Sequence, residues 1–522
     1  MSAANNKSSV HNSRPLDVHR WSEHLEVESF VAPLWNRFNG EQVDVSAVKK
    51  GRPTKRIKRD NMKVLLLDLY VCWCEDPTRY IGISSNRNDW SKGRYKAIHL
   101  SSTILVVLDW LVAEGLVDKR GHFHSADRSL SRTARYRASK RLQSMFEAAM
   151  FGLDDIGTHD NEECIVLKQV EIRDDEAAEK SKSIDYEDTP ETVAMRERLT
   201  AYNKLLKQSH IDIHSLTKPL IQRENKKGPR KGRSNTVAVG QHNKFVRRIF
   251  SRGSWHMHGR FYGGWWQQIG SELRRHIFIN GNPTVEVDFK SMHVALLNAE
   301  LGVVVVEDPY EVDVDLFPKL DRQVVRRWNK TLVLTAINAK DRRSTYSAFR
   351  SDAKTGSPEK RLKDTELANL LDAFVEKNPH LENYLCSDQG ILLMHKDGMI
   401  AADIMNTLTD KAIPVLTVHD SFIVQRHHFS ELRIAMVMAS LHHCRRNLIA
   451  EQEGLELIFE KTMSWGVINE QAVNKLPKFK PCPQYLDRFN RFCEAHGLVV
   501  TLNNKGRGLM ARNVISLGRI IK

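Results

Sequence analysis

The sequence predicts an α+β chain of more than one domain, and three observations carry that reading. Its 522 residues, 41% of them apolar, are enough for several separate cores. Two apolar runs in the first third, MKVLLLDLYVCWC and LSSTILVVLDWLVAEGLV, have the length and composition of buried helices. In the second half, Val285, Val287 and Phe289 alternate with Glu286 and Asp288, and PVLTVHDSFIV reads as two short β-rich runs around a tight turn. Together these describe an antiparallel sheet with one buried face.

Taken in order, residues 1–60 are polar. They hold one amphipathic stretch from Phe30 to Phe38, and end in a basic cluster of Lys49, Lys50, Arg52, Lys55, Arg56, Lys58 and Arg59. Part of this segment is expected to be disordered. Residues 61–150 form the first expected domain, whose second helix is capped by Ser101 or Ser102 and stopped by Gly115. The sequence VDKRGHFHSADRSLSRTARYRAS follows, two extended runs joined by a polar, basic loop. Helix, helix and basic hairpin is the order of a winged helix-turn-helix, and EGLVDKRG resembles the helix-to-wing junction of that fold. The resemblance implies duplex DNA binding. The helix beginning at Ser101, Ser102 and Thr103 is then offered to the major groove, with Arg128, Arg132, Arg135 and Arg137 on phosphates. Winged helices also serve as protein–protein modules, and that alternative stays open.

Residues 151–192 are acidic and poor in aromatics, with DDEAAEKSKSIDYEDTPE at their centre, and are expected to be a solvated linker. Residues 193–258 follow as a helical, basic connector. Val193, Met195, Leu199, Tyr202, Leu205 and Leu206 mark the apolar side of its helix, and Arg223, Lys226, Lys227, Arg230, Lys231 and Arg233 form a second basic cluster. The main unit spans 259–470, and a basic C-terminal element spans 471–522.

A formal net charge of +15 and a pI near 9.4 favour a polyanionic partner. No run approaches the ~18 consecutive apolar residues of a membrane span, and the N-terminus lacks the apolar core of a secretory signal. The expected location is therefore the cytoplasm, with nucleic acid and not a membrane as partner. Seven cysteines in a chain of this length form no disulfide framework. Cys482, Cys493 and His496 lack the CxxC pairs of a zinc site, and scattered free thiols are the expectation.

The chemistry centres on Asp288, at a strand end, and Asp420, at a hairpin tip. Two such carboxylates on adjacent strands can hold a pair of divalent ions that clamp the attacking and leaving oxygens of a phosphoryl transfer. Between them, in DRQVVRRWNKTLVLTAINA, Arg326, Lys330, Leu334 and Asn338 recur at a spacing of four along one helix face. Val325, Trp328 and Leu332 occupy another. Cations on such a face would bind a triphosphate and offset its developing charge.

The order GR, QQI, an Arg-rich segment, VDF, RRxxKT, DGxxAADIM and VHDSF, across roughly 259–425, resembles the palm and fingers of the family A DNA polymerases and of the related single-subunit phage-type RNA polymerases. The resemblance implies two Mg2+ ions, with Mn2+ as a substitute, on Asp288, Asp420 and the Phe289 carbonyl. It implies that Lys330 and Arg326 act on the incoming nucleotide, and that Arg260, Gln267 and His419 lie on the template–primer. Packing of an aromatic loop on the palm remains the alternative for the Arg260–Gln267 block. Asp397, Gly398, Ala401, Ala402 and Asp403 resemble the helix before the second catalytic Asp. The chain departs from family A in having His293 and Ser421 where Glu is usual, and departs from both subfamilies in having Asn338 where Tyr is usual. His293, with Leu334 and Asn338, is expected at the sugar, as a steric gate or as a hydrogen-bonding receptor for the 2′-hydroxyl.

The expected function is a DNA polymerase-like template-directed nucleotidyltransferase, taking dNTPs or NTPs on a DNA template and primer. It would act beside replication proteins in copying a small replicon or mobile element. An RNA polymerase or primase, and a non-catalytic DNA-binding replication initiator, are the alternatives.

Overall fold

The computed structural model describes residues 12–46, 58–90, 93–97, 99–122, 133–160, 162–171, 180–224, 234–304, 307–312, 316–452, 479–502 and 509–513. They form a mixed α+β structure with several sheets.

Strand β1 (Ser13–Pro15), helices α1 (Leu25–Ser46) and α2 (Arg59–Glu75), strand β2 (Tyr80–Gly82), helix α3 (Ile104–Ala113), strands β3 (Val117–Arg120) and β4 (Arg135–Ala138) and helix α4 (Lys140–Glu147) surround one apolar core. Helix α2 is its axis. Every residue from Asn61 to Cys72 is buried, as a helix apolar on nearly all sides requires. Its deepest acid, Asp68, accepts from Arg14 Nη1 and Nη2 at 2.8 Å each and from Arg20 Nε at 3.3 Å. These charge-assisted bonds staple β1, which runs parallel to β2, onto the helix. The sheet order is β1-β2-β4-β3.

Residues 12–41 therefore belong to this core; residues 1–11 and 47–57 of the segment in which partial disorder is expected lie outside the described residues. Val27, Val31, Leu34 and Phe38 of α1 are buried in it. Gly115, at φ +66°, ends α3 as expected. Its start differs: Thr103 occupies the N-cap without a side-chain cap bond, and its hydroxyl accepts from Asn61 Nδ2 at 2.9 Å. Neither Ser101 nor Ser102 caps the helix.

The expected solvated linker contains a strand of the next core. Strand β5 (Ile165–Glu171) pairs with β6 (Lys180–Ser183), and Cys164 to Leu167 are buried. Glu163 anchors the segment between Arg94, at 3.2 Å, and Arg196, at 3.1 Å. Residues 172–179, part of the acidic stretch, lie outside the described residues. Helix α5 (Pro190–Lys207) follows, its Thr189 N-cap accepting from the Thr192 amide. Leu199, Tyr202 and Leu206 are buried, but Val193 is exposed, so the apolar stripe is narrower than its sequence suggests.

Strand β7 (Ile211–Ile213), the hairpin β8 (Leu220–Glu224) and β9 (Ser234–Ala238), and strands β10 (Arg247–Ser251) and β11 (Ser254–Tyr262) come next. β10 pairs in parallel with β5, giving the sheet β11-β10-β5-β6. Strands β12 (Ile277–Ile279) and β13 (Asn282–Phe289) lead into helices α6 (Met292–Glu300), α7 (Arg322–Asn338), α8 (Arg342–Asp352), α9 (Asp364–Lys377) and α10 (Gly390–Asp410). Strands β14 (Leu416–Val418) and β15 (Ser421–Gln425), helix α11 (Phe429–Cys444) and strand β16 (Ala450–Gln452) complete the larger core. The central sheet runs β14-β15-β13-β12-β7, with β16 also paired to β13.

Helix α10 crosses β11 so closely that a Cβ at Gly398 would overlap the Gly259 carbonyl. Gly259 itself sits at φ +81°. Overpacking backbone against backbone leaves nothing flexible to yield. Gly398→Ala is therefore expected to cost about 1–3 kcal/mol, read as a lower midpoint of urea unfolding. An unchanged midpoint would show that helix and strand can separate freely.

Helix α12 (Pro483–Ala495) packs back onto β7. Arg488 Nε donates to buried Asp212 at 2.7 Å, and Tyr485, Phe489 and Phe492 close round His210. The expected basic accessory element thus includes a core helix. Residues 453–470 of the expected 259–470 unit, residues 471–478 of the C-terminal element, and most of the two basic clusters lie outside the described residues. Among the described residues, no helix is long and apolar enough to cross a membrane.

Candidate functional site

The period-2 pattern of β13 buries Val285, Val287 and Phe289 and leaves Asp288 exposed. β15 lies antiparallel to it, with Asp288 opposite Ser421, so the turn between β14 and β15 sits at the same end of the sheet as Asp288. His419 and Asp420 are the two residues of that turn, and the Phe289 amide donates to the Asp420 carbonyl at 3.2 Å. Both ends of the site carry a non-glycine residue in the left-handed region, Ser291 at φ +52° and His419 at φ +60°. Such conformations cost free energy and are often held at sites that need a fixed geometry. Burial pushes the Asp420 carboxyl above its ordinary range, with Asp397 adding to the rise and Arg260 opposing it.

A buried charge network lies behind the two acids. Arg260 on β11 is bound by Asp397 on α10, Nε donating to both carboxylate oxygens at 3.0 and 2.8 Å, and Nη2 donates to His293 Nε2 on α6 at 2.9 Å. Because a guanidinium only donates, His293 must accept through Nε2 and carry its proton on Nδ1, which is buried without a partner. His293 is 8% exposed. The imidazole thus packs against Arg260 in the site wall. Two nitrogens of Arg260 are committed to Asp397 and His293.

Gln267 is bonded to its own loop and to β14. Its amide donates to the Phe261 and Thr417 carbonyls at 3.1 and 2.9 Å, and its oxygen accepts from the Gly263 amide at 3.1 Å. The side chain braces the loop and has little left for a nucleic-acid strand. Trp265 and Trp266 are fully buried beside it. His419 stays near the surface, edge-on to Tyr262 at 5.5 Å, and burial followed by Arg260 pushes its pKa down. It is therefore a neutral ring at pH 7. Ser421 donates to Glu286 at 2.5 Å, and Arg274 grips the same carboxylate at 2.7 to 3.2 Å.

Helix α7 buries Val325, Trp328 and Leu332, as its spacing predicts. Lys330 is exposed, its ammonium 5.8 Å from the ring centre of Tyr310. Arg326 Nε donates to Asp308 at 2.8 Å. Burial alone would raise the Asp308 carboxyl, but the Tyr310 amide and Arg326 outweigh it and hold it below its ordinary range. Leu334 is half-buried. Asn338 folds back to donate to the Leu334 carbonyl at 2.7 Å and packs on Gly390. Asp308 and Tyr310 are the partners that sequence reasoning missed. Their only signal is the short run DPY, which reads as any turn.

The residues expected on duplex DNA are divided. Helix α3, from Ile104, has no Lys or Arg, and exposes Val106, Asp109 and Ala113. Ser101, Ser102 and Thr103 are half-buried at its start. Arg137 pairs with Asp118 at 3.1 Å and lies over the Tyr80 ring, while Arg135 Nη1 donates to the Thr133 carbonyl at 3.1 Å. Arg128 and Arg132 lie outside the described residues. No protein-family model matches the chain, and no curated protein is similar enough to it to count as a relative.

Proposed function

We propose that the chain is a template-directed nucleotidyltransferase, DNA polymerase-like, that extends a nucleic-acid strand. The observation that carries the reading is the meeting of Asp288 and Asp420 at one end of adjacent antiparallel strands, with cations of α7 on a separate helix of the same core. The donor set is all oxygen, which suits Mg2+ or Mn2+, and a cation would relieve the cost of ionising the half-buried Asp420. When bound to Asp288, Asp420 and the Phe289 carbonyl, the two ions would supply an activated 3′-hydroxyl and neutralise the leaving pyrophosphate.

The chain's own residues do the rest. Lys330, exposed on α7, binds the triphosphate. Arg326 joins it by exchanging the Asp308 carboxylate for phosphate, an exchange of one charge-assisted pair for another. Arg260 and Asp397 hold the wall against which Asp420 is set. The N-terminal core, with a helix, a second helix and a hairpin in sequence, acts as a winged helix-turn-helix whose DNA contacts come from the hairpin. Helix α3 brings no cation to the groove.

The test is extension by the full chain of a primed and an unprimed DNA template with labelled dNTPs and, separately, NTPs, with Mg2+ present. Incorporation on the primed template supports the reading. No incorporation with either nucleotide set, by protein that still binds DNA, favours a non-catalytic initiator. His293 supplies the sharper expectation on sugar choice. His293→Ala should raise ribonucleotide use about 10-fold, equivalent to roughly 1.4 kcal/mol of lost discrimination. It should also slow incorporation of both sugars, because the ring anchors Arg260. A wild type that already prefers NTPs would place the protein with the RNA polymerases or primases.

A further inference from the structure

Away from the two aspartates, the last turn of α11 brings two adjacent imidazoles onto one carboxylate of α10. His442 Nδ1 and His443 Nε2 each donate to Asp403 Oδ2 at 2.9 Å. Neighbouring residues on a helix point about 100° apart, so two consecutive histidines do not ordinarily converge. Here they do because one presents the nitrogen close to its backbone and the other the nitrogen at the far end of its ring. The three atoms lie within 4.8 Å of one another, and this is the one group of three or more His, Cys, Asp or Glu so gathered among the described residues.

We propose that Asp403, His442 and His443 form a binding site for a borderline divalent transition-metal ion, of the Zn2+ class. Two imidazole nitrogens and one carboxylate oxygen are the donor types such ions take at about 2.0–2.2 Å, with a further position left for water. That position lies on the open side, where the His442 side chain is 72% exposed. Binding requires each ring to turn a lone pair where it now turns a proton. A neutral imidazole does this by moving its proton to the other nitrogen, so no net proton need leave the protein. Hard ions such as Mg2+ prefer all-oxygen sites, so this site and the Asp288–Asp420 pair select different metals. The ion would tie α10 to α11. It would thereby brace the helix whose Asp397 holds Arg260.

Isothermal titration of the untagged, metal-stripped full chain with Zn2+ tests the proposal. One saturable Zn2+ per chain is expected, with a rise in melting temperature on addition. His442→Gln should weaken binding at least 10-fold and remove that rise; being mostly exposed, the residue can be changed without disturbing the core. His442→Gln/His443→Gln should abolish binding, and Asp288→Asn should leave it intact. Absence of saturable binding by the wild type, or equal binding by wild type and double variant, would overturn the site. Loss in Asp288→Asn would overturn it as well, by assigning the ion to the other acids. None of these readouts depends on nucleotide incorporation.

Discussion

Asp288→Asn and Asp420→Asn are each expected to lower nucleotide incorporation by about 10³-fold or more, roughly 4 kcal/mol of transition-state stabilisation, and to have opposite sizes of effect on stability. Asp288 is exposed, so its replacement should leave the melting temperature nearly unchanged. Asp420 is different. Burial, helped by Asp397, raises its carboxyl above the ordinary range in the folded chain. A carboxyl with a raised folded-state pKa favours the native state below its unfolded pKa, and that contribution is lost as pH rises through the folded pKa. At neutral pH the ionised group is therefore a cost that Asn does not carry. Asp420→Asn should melt higher than wild type at pH 7, and the gap should close as the pH falls below the ordinary carboxylate range. Incorporation above about a tenth of wild type in both variants would sink the two-metal assignment. A variant that melts lower at pH 7 would show that Asp420 is held by favourable contacts and not strained by burial.

The second large effect is expected at Asp397. Its carboxylate is 3% exposed and takes two hydrogen bonds from Arg260 Nε. Asp397→Ala leaves a guanidinium in the wall with His293 as its hydrogen-bond partner and only the Asp420 carboxylate to offset its charge, and removing one member of a buried pair costs about 3–5 kcal/mol. Thermal or urea unfolding reads this directly. Arg260→Met in the same chain should recover most of the loss, because the uncompensated charge goes with it. The double variant should regain stability without regaining activity. Equal destabilisation of the single and double variants would mean that packing and not charge dominates the site.

What could be read from the chain beforehand follows the range of the interactions involved. The alternation at Val285–Phe289 and the apolar face of the helix at Val325–Leu332 are local patterns, and both elements appear where their periods put them. Helix α1 has only Val27, Val31, Leu34 and Phe38 as buried apolar residues among those described, and what fixes it is a core built from α2 and beyond. β5 is hidden for another reason: four apolar residues, Cys164 to Leu167, vanish in the average of an acidic stretch. At the site, residue type showed which groups could act but not what they touch. Gln267 and His293 are as able to satisfy neighbouring protein atoms as a ligand, and the structure gives them protein partners. Tyr485, Phe489 and Phe492 lie at helical spacing within a strongly basic stretch, and only the fold shows that they pack on His210.

The docking of α12 bears on how the chain comes to fold. Strand β7 is the outer strand of the central sheet, and the residues that cover it, led by Arg488 on Asp212, lie 276 positions further along the chain. During synthesis, one apolar face of the sheet waits uncovered and a buried acid unpaired until α12 emerges. Such exposed apolar surface invites the wrong partner, another nascent chain included. The helix thus acts as a closing latch, and shortening the chain before Pro483 would be felt first as aggregation during expression, before any loss of chemistry.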